Sequence, residues 1–205
     1  MLNPLSHTAN VSESTLSWLL WQQLTALGYS HLSETAGAQL TTAFAAQLEN
    51  SGLWQWSVFV LLHLSAPPAV VQSLVQDVID RHLQLEGGGA AELFLTQQLA
   101  VPAQWIERGR AVRAMYAFAP RLQADSLLAA GLYDQAHDVI CDQLAPEAVL
   151  CESHDQLEAL LAPLADAERC ALIADWPLKG KIYWNYITVV NAVDRILSQV
   201  PDPLQ

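Results

Sequence analysis

Between Gly52 and the sequence SAPP at Ser65 to Pro68 lies LWQWSVFVLLHL, Leu53 to Leu64, a run apolar nearly all the way round a helix. Its polar members, Gln55, Ser57 and His63, share no single helical face. A helix of that kind is buried on several sides. A membrane-spanning helix needs roughly 20 apolar residues in succession, and this run stops well short of that. It therefore belongs in the middle of a stack, with Trp54 and Trp56 as rigid packing residues between layers.

The rest of the chain carries helix signals and no convincing strand. Ser12 or Ser14 can cap a helix with Leu16, Leu20, Leu24 and Leu27 on its apolar face, and Ser33 caps another with Ala36, Leu40, Phe44 and Leu48. After Pro67 and Pro68, residues Val71, Leu74, Val75, Val78, His82 and Leu83 keep the 3-4 spacing of an amphipathic helix. Pro102 and Pro120 sit where the first turn of a helix tolerates proline. Trp105, Gly109, Val112 and Tyr116 form one face between them. Leu132, Ala136, Val139, Ile140 and Leu144 form the next, and Asp166 can cap AERCALIADW. A last helix runs from about Lys181 to Val200. An internal echo links SGLWQWSVFVLL and AGLYDQAHDVIC. Both place Gly-Leu-aromatic before a small residue, Ser57 or Ala136, which lets a neighbouring helix approach. The expected fold is all-α, an α-solenoid-like stack of about ten antiparallel helices. It forms a single domain over 12–200 between flexible ends at 1–11 and 201–205.

Only 15% of the 205 residues are charged, against 52% hydrophobic, so much of the surface is suited to burial against partners; the net charge is −12. That balance disfavours direct nucleic-acid contact and anionic membrane surfaces. The three cysteines, Cys141, Cys151 and Cys170, make no CxxC, and CESH at 151–154 is at most half a zinc site. No HExxH, GxSxG, phosphate loop or GxGxxG occurs. The expectation is no enzyme, no cofactor and no metal. Asp134, Asp138 and Asp142 fall at i, i+4 and i+8, an acidic ridge that is either solvated or a docking face for a basic partner.

The last helix is the most informative element. Its apolar face is expected to be Ile182, Tyr186, Val189, Val193 and Ile196, widened by Tyr183, Ile187 and Val190. Trp184 then falls on the opposite side with Thr188, Asn191 and Arg195. A tryptophan there is either covered by a neighbouring helix or an anchor for a partner.

Four blocks, FAAQLENSGLWQWSVFVLLHL (44–64), FLTQQLAVPAQWIERGRAVRA (94–114), LLAAGLYDQAHDVICDQLAPEAVL (127–150) and LAPLADAERCALIADWPLKGKIYWNYI (161–187), resemble consecutive parts of one family. It is the Y-complex nucleoporin family released from the nucleoporin 98–96 precursor, whose fungal relative is the C-terminal product of the nucleoporin 145 precursor. The resemblance covers about three quarters of the chain and corresponds to the C-terminal, tail part of the helical region. It implies a scaffold subunit of the nuclear pore complex at the nuclear envelope, supporting nucleocytoplasmic transport. Its partners would be other Y-complex nucleoporins, chiefly the C-terminal helical regions of two larger hub subunits, without membrane insertion. No autoproteolytic His-Phe-Ser site and no Phe-Gly repeats accompany the blocks. A helical-repeat adaptor is the alternative; it would need a groove lined with Asn, Lys and Arg to hold a peptide.

Overall fold

The computed structural model describes residues 13–29 and 32–199. The expectations placed on Ser12, on Val200 and on the two ends lie outside the described residues. Among those described the chain is helical throughout, with twelve α segments. These are α1 (Thr15–Ala26), α2 (Glu34–Asn50), α3 (Trp54–Leu61), α4 (Pro68–His82), α5 (Ala90–Leu93), α6 (Ala103–Tyr116), α7 (Pro120–Ala129), α8 (Tyr133–Val139), α9 (Ala145–Leu150), α10 (His154–Leu161), α11 (Ala167–Cys170) and α12 (Gly180–Gln199). Consecutive helices pack together at α1–α2, α2–α3, α3–α4, α7–α8 and α9–α10. They divide into two compact units, with the division inside α6 after Gly109.

The first unit is built around the α2–α3 pair. Ser33 caps α2 by accepting from the Ala36 amide. Phe44 is buried, with Leu40 and Leu48 packed beside it. Gly52 takes φ +78° and closes α2: its amide donates to Glu49 O and the next amide, Leu53, to Leu48 O. Ser57 then sits fully buried five residues on. Gly131 repeats the device at φ +76°, followed by a fully buried Ala136. The echo in the sequence is therefore a repeated turn between paired helices. Arg81 and His82 of α4 both reach Glu49 of α2 at 2.8 Å, and the Arg81 hydrogen bond holds that carboxylate below its usual range. Trp54 stacks on His82 at 5.8 Å. A Cβ on Gly109 would meet Ile79 at 2.7 Å, so α6 closes on α4 only because that position has no side chain.

Two elements of this unit depart from the sequence reading. In α1 the buried residues are Ser17 and Trp18, while Leu16, Leu20 and Leu27 are exposed. The indole Nε1 of Trp18 donates to Thr41 Oγ1, and the Trp21 ring occupies the space above Gly37. These two tryptophan contacts with α2 go with the rotation of the helix. Ser14 provides no side-chain cap; its amide instead donates to Gln47 Oε1. The other departure is Trp56, which is 44% exposed and leans on Phe94 and Phe59 rather than lying between layers. At the end of α6, past the division between the units, Tyr116 of the expected face is also 70% exposed.

In the second unit, α7, α8, α10 and α12 enclose a core of Leu127, Ile140, Leu157, Leu160, Leu161, Leu164, Ile173 and Ile187. The segment from Tyr133 to Leu150 is one run, widened by a π turn at Ile140–Leu144. Pro146 explains the turn. It has no amide to donate, and its ring would crowd the carbonyl one turn back, so the ladder opens by one residue before it. The expected helix over AERCALIADW shrinks to the single turn α11, and Asp166 makes no side-chain cap. Pro177 disfavours helical geometry at Trp176. Ile173 and Trp176 reach the core from the turns that follow instead.

Candidate partner-binding surface

The decisive feature of the second unit is the rotation of α12. Gly180, its first residue, donates its amide to His137 Nε2 at 3.2 Å. A Cβ on Gly180 would overlap the Trp176 ring and come 2.9 Å from His137 Nε2. Tyr183, Trp184, Ile187 and Asn191 lie three, four, seven and eleven residues on, so they share the face of Gly180 and turn inward. Ile187 is 2% exposed, and Tyr183 and Trp184 pack against the core. His137 is itself fully buried, with Asp138 the carboxylate 3.6 Å from its Nδ1.

Tyr183 and Ile187 are inward as expected, but the main stripe of the expected face is turned outward. Ile182, Val189, Val193 and Ile196 are between 47% and 64% exposed, and Leu197 joins them. Tyr186 at the margin of the stripe places its hydroxyl 3.0 Å from His154 Nε2. The richest apolar stripe of the sequence faces outward because the helix carries two apolar faces. Close approach at Gly180 selects the one that pairs Ile187 with two aromatic rings.

The four residues singled out on the other side are brought together. Trp184, Thr188, Asn191 and Arg195 line one cleft of about 180 Å³ with Glu158 of α10. Asn191 Nδ2 donates to Glu158 Oε2 at 2.8 Å, and Thr188 Oγ1 donates to the Trp184 carbonyl. The apolar terminal surface therefore lies on the side of α12 away from Trp184. Asp134, Asp138 and Asp142 are all exposed, but Asp142 is taken by Lys179 at 2.9 Å, which raises the lysine's pKa. The ridge is thus open chiefly at Asp134 and Asp138.

In the first unit Trp18, Leu19, Phe44, Leu48, Leu53, Trp56, Phe59 and Val60 line a groove of about 310 Å³. None of the Asn, Lys or Arg that a peptide-reading adaptor would need is among them. Cys151 is exposed, and His154 of CESH turns to Tyr186. Among the described residues no group of three could hold a metal, and no helix is long and apolar enough to cross a membrane. Burial, with Asp142 adding to it, pushes the Cys141 thiol up to about 12. Iodoacetamide at pH 8 should therefore label Cys151 in the native protein and leave Cys141 unmodified until it unfolds, as read by peptide mass spectrometry.

Comparison with known proteins places this helical chain in a family. The family model described as Nup96, Nuclear protein 96, matches residues 1–113. The chain belongs to the Nup96 family. Among the relatives, Nuclear pore complex protein Nup98-Nup96 of Drosophila melanogaster is 38% identical over 96% of this chain and 10% of its own length. Nucleoporin nup189 of Schizosaccharomyces pombe is 35% identical over 75% of the chain and 8% of its own. Nucleoporin NUP145 of Saccharomyces cerevisiae is 26% identical over 93% and 14%. The chain spans about a tenth of the length of these relatives. Membership of the Nup96 family makes it a nucleoporin, and these relatives point to a structural pore component rather than an enzyme.

Proposed function

We propose that this nucleoporin is a structural scaffold subunit of the Y-complex of the nuclear pore complex, built in by docking against the C-terminal helical regions of two larger subunits. The observation that carries the reading is the outward stripe of α12. Ile182, Tyr186, Val189, Val193 and Ile196 follow a 4-3-4-3 spacing, the seam along which helices pack lengthwise at roughly 20°. The residues bordering the seam, Tyr183, Asn185, Val190 and Ala192, carry no charge, so apolar shape rather than ion pairing selects the partner helix. Asp134 and Asp138 supply a second, acidic contact for basic residues of a neighbour. In this reading residues 12–200 act as one helical scaffold domain, the output is geometry, and support for nucleocytoplasmic transport follows from holding the pore together.

The test is light scattering after size exclusion on the chain alone and mixed with each C-terminal region. The expected result is a stoichiometric complex that Val189→Asp abolishes without altering the circular dichroism spectrum. A monomer that ignores both regions would overturn the hub assignment.

A further inference from the structure

Among the described residues five helices end in the same hydrogen-bonded motif, in which one residue takes a left-handed conformation and the amide after it reaches five residues back. At three of these ends the left-handed residue is glycine: Gly28, Gly52 and Gly131. At a fourth it is Glu152. At the end of α6 it is Phe118, φ +53°, with its amide donating to Met115 O and the Ala119 amide to Ala114 O. A bulky side chain is an outlier in that conformation, which glycine adopts without strain. Of the two non-glycine ends Phe118 has the bulkier side chain, and at 92% exposed it packs on little of the described chain. Met115 and Tyr116 beside it are 46% and 70% exposed.

We propose that Phe118 is the anchor of a further docking site, inserting into an apolar pocket edged by carboxylates on another protein. Backbone strain with no compensating contact among the described residues points to a role in binding. An exposed aromatic ring on a rigid turn has the form of an interface anchor, because little side-chain freedom is left to lose. Charge specifies the pocket's rim. Going outward along the sequence from Phe118, the first charged residues met are Arg121 on one side and Arg113 on the other, both basic in a chain of net charge −12. Arg113 is exposed, and the half-exposed Arg121 has Asp125 at 3.4 Å as its charged neighbour. A second copy of this acidic chain is disfavoured by like-charge repulsion at long range. The site is separate from the α12 seam in sequence and chemistry, and it does not depend on the hub assignment.

The experiment places the photo-crosslinker p-benzoylphenylalanine at position 118 of the whole protein as it exists in cells, with crosslinked peptides read by mass spectrometry. The expected product joins position 118 to a peptide of a different protein whose surface there combines apolar residues with Asp or Glu. That result supports the site whether or not the peptide comes from a hub subunit; a peptide from another protein would count against the hub reading alone. A peptide from this chain, or no crosslink, overturns the proposal. Phe118→Gly supplies the second measurement. It should raise the melting temperature by about 1–4 °C by relieving the strain and lower the affinity for the crosslinked partner at least tenfold. An unchanged affinity would also overturn it.

Discussion

Gly180→Ala is expected to destabilise the second unit by about 2–3 kcal/mol, although it adds a single methyl group to a helix and alanine is the better helix former. The added carbon would overlap the edge of the Trp176 ring and lie 2.9 Å from the imidazole that accepts the Gly180 amide. Neither neighbour is the loose end of a flexible chain. Trp176 is 8% exposed and His137 is fully buried, so each could move only by disturbing the packing around Ile140 and Ile187. Relief requires α12 to withdraw, which strips the Gly180 hydrogen bond from a buried nitrogen and uncovers Ile187. The measurement is the urea midpoint together with amide exchange in α8 and α12, where protection should fall. Gly52→Ala is the contrast. It meets open space but must hold φ +78°, so it should lose only about 1 kcal/mol. If Gly180→Ala proved no worse than Gly52→Ala, the close approach would not be what fixes α12.

How much of this could be read in advance depended on whether one interaction or several competed for a face. The α2–α3 and α7–α8 pairs were legible because Gly52 and Gly131 stand at the only conformation that suits the turn, and Ser57 and Ala136 follow at the spacing where bulk cannot fit. The cap at Ser33 was legible for the same local reason. Rotation of α1 and α12 was not. Each carries apolar residues on two sides, and counting apolar positions favours the wider stripe, which is the outer one in both. The deciding contacts come from distant residues: Thr41 and Gly37 for Trp18 and Trp21, Trp176 and His137 for Gly180. Gly180 in register with Trp184 and Ile187 was the available clue, since a glycine opening a helix one turn before an aromatic residue marks the side that comes closest. The π turn before Pro146 and the broken helix before Pro177 were readable in principle, because proline removes the same hydrogen bond wherever it stands. Phe118 gave no signal in the sequence, because an AFAP turn looks ordinary until its φ is known.

The two faces of α12 predict opposite outcomes for the same change of side chain. Trp184→Asp should destabilise the second unit by about 3 kcal/mol, since it deletes a large ring from the core margin and sets a carboxylate facing Glu158 across the cleft. Val189→Asp, five residues on and 62% exposed, should change stability by no more than about 0.5 kcal/mol, because aspartate and valine have similar helix propensity and nothing is uncovered. Binding should reverse the order: Val189→Asp puts an unpaired charge in the middle of an apolar seam, the position at which desolvation is most costly. Unfolding by urea and affinity by calorimetry, measured on both variants, separate the faces. A stable Trp184→Asp that fails to bind would return the interface to the side of Trp184, Thr188, Asn191 and Arg195. A stable Val189→Asp that fails to bind would put it on the seam, because folding contacts cannot explain a loss of association at a residue that touches so little of its own chain.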